Sequence, residues 1–169
     1  MGDDANHCIG VELEGYLEKL LPAGSTLLEL GSGAGTARLA KHFTMISIEH
    51  DARWLGKAPS NYIYAPIEPF RKPCSVFKLD KGWYSRDVLR EELPKHRYDA
   101  ILIDGPPNVW GRGGFYKWKD LFDLSVQLIF DDAHRERTIV LLQRVSANLR
   151  RPYTVHGCWT DRHFAVILP

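Results

Sequence analysis

The chain has 169 residues, room for one domain with a real core and hardly for two. Hydrophobic residues make up 44% and charged residues 25%, which excludes a disordered chain. A formal net charge of +1 gives no bulk attraction to nucleic acid or anionic membrane, and no apolar run reaches the roughly 20 residues of a membrane span.

The opening stretch MGDDANHC is acidic and polar, unlike a secretory signal. Asn6 stands where a myristoylation pattern needs Ser or Thr. Cys8, Cys74 and Cys158 are odd in number and form no CxxC pair, which argues against a zinc site or disulfide framework. They read as idle thiols in a reducing compartment, so a cytoplasmic location is expected. Without repeats or a Pro/Gly/Ser-rich linker, residues 1–169 read as one domain: a helical segment over 1–23 and a core over 24–169.

In chain order, VELEGYLEKLL (11–21) predicts an amphipathic helix closed by Pro22 and Gly24. TLLELGSG (26–33) is an apolar run stopping at glycines, the pattern of a buried parallel strand. A helix is expected over 35–42, a second strand over 45–51, a helix over 51–57 and a third strand, NYIYAPIE, over 61–68. Residues 70–82 read as loop, followed by a helix near 84–93. YDAILIDGPP (98–107) predicts a buried strand that two prolines bring to a stop. After a Gly- and aromatic-rich loop (108–120), SVQLIFDD (125–132) is the next strand. Ile139, Leu142, Val145 and Leu149 then form one stripe of a helix over 134–150. PYTVHGCW and RHFAVILP read as two strands joined near Asp161. The alternation implies a parallel sheet covered on both faces, with an antiparallel hairpin at the end.

The turn after the first strand reads Glu29-Leu30-Gly31-Ser32-Gly33-Ala34-Gly35. Glycines let the chain turn sharply and let a ligand approach the backbone. A dinucleotide fingerprint needs its third glycine at position 36, which is Thr36. No Gly-Lys-Ser/Thr follows, so a nucleotide-triphosphate loop is disfavoured too. An acid, Glu49, closes the second strand, where a carboxylate can accept from two hydroxyls at once.

With these residues the sequence resembles the class I S-adenosylmethionine-dependent methyltransferases, over roughly residues 24–169. That resemblance implies an α/β, Rossmann-like, doubly wound and mostly parallel seven-stranded sheet with a C-terminal antiparallel hairpin. It implies that Gly31, Ser32 and Gly33 approach the methionine part of the cofactor, with Glu29 and Gly35 belonging to the same motif. Glu49 would hold the ribose, His50 would lie along the adenine, and Ala65, Pro66 and Ile67 would line the adenine pocket. Asp104 would face the methionine amino group, a metal or the substrate. The ending IDGPP lacks the NPPY-like tetrad of enzymes that methylate amino groups of DNA bases or glutamine.

The fourth and fifth strands of such a sheet are neighbours, with ligands at their C-terminal ends. Asp104 ends one, and Asp131 and Asp132 end the other. Three converging carboxylates need a cation or a proton, and oxygen-only ligation suits Mg²⁺. Alternatively, Asp131 or Asp132 caps the following helix, or Arg135 supplies the compensation. The pieces IDGPP, GRGGFYK and IFDDAHR resemble cation-dependent small-molecule and sugar O-methyltransferases and the plant polysaccharide-type family. His134, the side chain titrating nearest neutrality, is a candidate general base.

In the loop 108–120, Trp110, Phe115, Tyr116 and Trp118 could stack on a sugar or aromatic ring, and Arg112 and Lys117 could hold an acidic group. The segment could close as a lid, or its aromatics could simply pack on the domain. The expected reaction is methylation of a hydroxyl on a small molecule or saccharide. An RNA or protein methyltransferase and a non-catalytic cofactor-binding or assembly domain are the alternatives. A second copy of the chain could complete the site.

Overall fold

The computed structural model describes residues 9–72, 77–157 and 162–169. Helix α1 (Val11–Leu20) turns Leu13 and Leu17 inward. An Arg38–Glu14 ion pair of 2.9 Å and a 2.6 Å hydrogen bond from Arg38 Nη2 to the Ile9 carbonyl fasten it to the helix behind the glycine turn. Strand β1 (Thr26–Leu30), helix α2 (Ala34–Leu39) and strand β2 (Thr44–Glu49) follow as the apolar runs predict. Next come β3 (Asn61–Tyr64), β4 (Ile67–Pro69), β5 (Gly82–Tyr84), α3 (Arg86–Glu92), β6 (Ala100–Ile103) and α4 (Gly114–Lys117). Strand β7 (Gln127–Phe130), helix α5 (Glu136–Leu149), β8 (Tyr153–His156) and β9 (Phe164–Ile167) complete the order.

Seven strands form one sheet in the order β3-β2-β1-β6-β7-β9-β8. All neighbours pair in parallel except β9, which runs antiparallel to both β7 and β8. This is the Rossmann-like, doubly wound sheet with its closing hairpin. Chain order reverses between β1 and β6, so the crevice of the fold opens there. Register brings Leu30 beside Ile48 and Ile103, and Ile103 beside Phe130. The segments that follow these four strands therefore leave the sheet at one edge.

Side chains alternate across the sheet. Leu28, Leu30, Ile46, Ile48, Ile101 and Ile103 enter one core, under α3, α4 and α5. Leu27, Met45, Ala100, Leu102, Ile129 and Val166 enter the other with Leu13, Leu17 and Leu39. Each buried aliphatic side chain contributes roughly 1.5–3 kcal/mol. On α5 the expected stripe holds at Leu142 and Val145, joined by Leu141 and Thr138.

Three expectations are corrected. The helix over 51–57 is only a single 3₁₀ turn, Ala52–Trp54, because Gly56 takes φ +73 and Pro59 follows. The strand over 61–68 breaks at Ala65-Pro66: β3 joins the main sheet, while β4 pairs antiparallel with β5 in a separate two-stranded sheet. The stretch read as loop up to residue 82 thus ends in a strand. All three cysteines and the turn at Asp161 lie outside the described residues.

Candidate active site

The turn after β1 must fold back sharply. Gly31 has φ +90, and a Cβ there would lie 3.2 Å from Gly105 Cα. The glycine thus allows the turns after β1 and β6 to touch. Gly33 precedes α2 and donates its amide to Thr36 Oγ1 at 3.0 Å. Thr36, the residue that breaks the dinucleotide spacing, therefore caps its own helix. Gly35 does not face the cleft: a Cβ there would meet Ile9 Cγ1 at 2.8 Å, so it makes room for the N-terminal segment.

Glu49, at the end of β2, is buried and held by three backbone amides. Its Oε2 accepts from the Ser32 amide at 2.8 Å, and Oε1 accepts from the amides of His50 (2.6 Å) and Asp51 (2.7 Å). His50 Nδ1 stands 2.7 Å from Oε1. Burial alone would raise the carboxyl, yet the hydrogen bonds from His50, Asp51 and Ser32 prevail and hold it below the usual range. Glu29 behaves oppositely. It accepts from Thr36 Oγ1 at 2.8 Å and Ser47 Oγ at 3.1 Å, ties β1, β2 and α2 together, and does not line the cleft. Burial pushes its carboxyl up to about 8 against the two hydroxyl bonds.

A cleft of about 1040 Å³ opens at this edge, large enough for a nucleoside-sized ligand. Gly31, Ser32, Gly33, Glu49 and His50 line one part of it, and Asp104, Gly105, Arg112 and Asp132 another. Ala65, Pro66 and Ile67 are not among its lining residues: Ala65 is fully buried and Ile67 belongs to β4. Trp54, which no sequence signal marked, lines the cleft beside Asp51 and Arg53.

The three acids do converge. Asp104, Asp131 and Asp132 each place a carboxylate oxygen within 4.8 Å of the others. A buried cation, Arg112, stands among them. Arg112 is 8% exposed; its Nη2 lies 3.1 Å from Asp104 Oδ1 and 2.9 Å from Asp132 Oδ2. Its Nη1 donates to the Asp131 carbonyl at 2.9 Å, and Arg135 Nη1 adds a contact to Asp132 Oδ2 at 3.1 Å. Two guanidiniums thus face three carboxyl groups. Two buried oxygens, Asp131 Oδ2 and Asp132 Oδ1, have no hydrogen-bond partner among the described residues. Burial, then the charges of Asp104 and Asp132, push the Asp131 carboxyl up to about 7. An oxygen-only set with unpartnered buried acceptors fits a hard divalent cation.

Neither Asp131 nor Asp132 caps α5 through its side chain, since Arg135 occupies the N-cap and makes no side-chain cap bond. His134 is exposed, outside the cleft lining, with its ring 6.2 Å from that of His163. Between the acids and His134 the backbone is left-handed at Asp132, with φ +58. The aromatic loop is likewise mostly packing. Phe115 is fully buried between Phe122 and Phe130, and Tyr116 and Trp118 pack on the same core. Lys117 Nζ sits over the rings of Phe70 and Trp118, away from the cleft lining. Trp110 alone of the four aromatics lines the cleft.

No family model matches the chain, and no curated protein does. Solved structures do match. A methyltransferase from Pyrococcus furiosus aligns with TM-score 0.57 at 13% identity, over 93% of this chain and 81% of that one. The SAH-bound methyltransferase of Podospora anserina aligns with TM-score 0.57 at 11% identity, over 98% and 81%. The MycE methyltransferase from the mycinamycin biosynthetic pathway, in complex with Mg and SAH, aligns with TM-score 0.53 at 13% identity. In that last case 93% of this chain covers only 44% of the other. At these identities the likeness is one of fold: the chain has the architecture of methyltransferase structures.

Proposed function

We propose that the chain binds S-adenosylmethionine and methylates a hydroxyl group of a small molecule or saccharide. The observation that carries this reading is the meeting, at the β1/β6 switch point, of the glycine turn, Glu49 and Asp104 around one cleft. Methyltransferase structures share this fold, two of those compared with SAH bound.

Gly31, Ser32 and Gly33 floor the part of the cleft where the methionine portion would lie. Glu49 has its carboxylate pinned by three backbone amides, so it can accept from ribose hydroxyls without reorganising. Bound there, S-adenosylmethionine supplies a methyl group activated by a sulfonium. Asp104 places a negative charge beside that position, which favours the cofactor's cationic groups. Asp104 lines the cleft and would take the acceptor's proton as the oxygen–carbon bond forms and the sulfur–methyl bond breaks, leaving S-adenosylhomocysteine. Much of the rate would come from holding acceptor and donor in line. In the alternative arrangement, Asp104, Asp131 and Asp132 would hold Mg²⁺, which would lower the pKa of an acceptor hydroxyl, and Asp104 would then be a ligand rather than the base.

The test is methyl transfer by the purified protein to a panel of hydroxyl-bearing sugars and small phenols, with and without Mg²⁺. Transfer to a hydroxyl supports the reading. Transfer only to RNA or protein, or cofactor binding with no transfer to any class, overturns the acceptor assignment.

A further inference from the structure

The carboxylate of Asp80 is buried, 5% exposed, and lies outside the cleft lining. Its Oδ2 accepts from the Gly113 amide at 2.6 Å, and its Oδ1 lies 3.9 Å from Arg137 Nη1 on α5. The next residue, Lys81, donates its amide to the Trp110 carbonyl at 2.8 Å. The segment 80–81 is thus fastened to both ends of the turn that carries Arg112.

That turn is shaped around Asp80. Gly111 has φ +86, and a Cβ on it would stand 2.0 Å from Asp80 Oδ1. A Cβ on Gly113 would stand 2.5 Å from Asp80 Oδ2 and 2.2 Å from Phe77 Cγ. A Cβ on Gly114 would collide with Trp83 at 2.2 Å. Three glycines around one arginine therefore let the backbone close onto a buried carboxylate and a buried indole, which throws the Arg112 side chain the other way, between Asp104 and Asp132.

We propose that Asp80 is a positioning residue for the acceptor end of the cleft, acting through Arg112. By clamping the Gly111–Gly114 turn, it delivers the guanidinium that holds Asp104 and Asp132 together. The clamp is a matter of this chain's own contacts; only its significance for the acceptor rests on the proposed function. Arg112 spans the ends of β6 and β7, with Nη1 reaching the Ile103 carbonyl (3.5 Å) and the Asp131 carbonyl (2.9 Å). Where Asp104 points therefore depends on a residue 24 positions earlier in the chain that touches neither cofactor nor acceptor.

The experiment uses an arginine-selective dicarbonyl reagent, with modified sites read by peptide mass spectrometry. In the wild-type chain Arg112 reacts at least about tenfold more slowly than exposed Arg150, since each tenfold of protection corresponds to an opening cost of ~1.4 kcal/mol. Asp80→Ala removes that protection. Asp80→Asn keeps it, because the amide oxygen still accepts from the Gly113 N–H. Should Asp80→Ala not fold, Gly111→Ala displaces the turn while leaving Asp80 in place, with the same loss expected. Wild-type Arg112 reacting as fast as Arg150, or staying protected when the clamp is broken, overturns the proposal. S-adenosylhomocysteine titration of the same samples is read separately: failure of the wild type to bind it counts against the proposed function and leaves the arginine result standing.

Discussion

The amide of Ser32 donates to Glu49 Oε2 at 2.8 Å, across 17 residues of sequence. This one bond fastens the glycine turn after β1 to the end of β2. It fixes the orientation of the carboxylate that would meet a ribose. On the proposed reading, Glu49→Ala would remove that tie and two hydrogen bonds to the ribose, each worth about 0.5–1.5 kcal/mol net. Affinity for S-adenosylhomocysteine is expected to fall roughly five- to 150-fold by calorimetry. An unchanged dissociation constant in a folded variant contradicts the assignment.

Glu29 and Glu49 predict opposite pH behaviour. The Glu49 carboxyl is held below its ordinary value of 4.5, so its contribution to stability is present above that pH and fades as pH falls further. Glu29 is raised from 4.5 to about 8. Its contribution is fully present below pH 4.5, declines as pH rises, and is lost above about 8. Glu29→Gln keeps an acceptor for Thr36 and Ser47 and cannot ionise. Its melting temperature should therefore fall less than the wild type's between these pH limits. An identical decline in both proteins contradicts the assignment.

The acidic cluster separates two models. If Asp104, Asp131 and Asp132 hold Mg²⁺, chelator suppresses methyl transfer and Mg²⁺ restores it. Asp131→Asn and Asp132→Asn then weaken the metal response more than cofactor binding. If Arg112 and Arg135 suffice, chelator has no effect and the damaging change is Arg112→Met. In either case His134→Ala should leave turnover within roughly twofold of wild type, a barrier change below ~0.5 kcal/mol.

Two aromatics of the same loop should respond differently. Phe115→Ala empties a fully buried site and should lower stability by roughly 3–5 kcal/mol in denaturant titrations. Trp110→Ala opens the cleft wall and should act on acceptor binding with a small stability cost. The reverse pattern would restore the lid reading for Phe115.

The sheet was legible because parallel strands buried on both faces show as unbroken apolar runs, as in TLLEL and AILI. The gathering of Asp104, Asp131 and Asp132 followed from the adjacency of β6 and β7. What stayed hidden depends on contacts between distant segments. In NYIYAPIE, Pro66 marks where β3 stops, but nothing local shows that β4 then pairs with β5 in a separate sheet. Arg112 was visible as part of GRGG, but only folding aims it at Asp104 rather than at a ligand. Asp80 carries no local signal at all, since its partners Gly113 and Arg137 lie 33 and 57 positions away. His134 is close to the acids in sequence, yet it stands exposed and outside the cleft lining, beyond the left-handed backbone at Asp132.

The central claim is that the cleft at the β1/β6 switch point takes S-adenosylmethionine. Calorimetric titration of the wild-type chain with S-adenosylhomocysteine and, in parallel, with NAD tests it most directly, with Gly33→Val as the control that fills the turn. The account predicts saturable binding of S-adenosylhomocysteine, none or far weaker binding of NAD, and loss of the signal in Gly33→Val. Binding of NAD alone, or S-adenosylhomocysteine binding that survives in Gly33→Val unchanged, would contradict it.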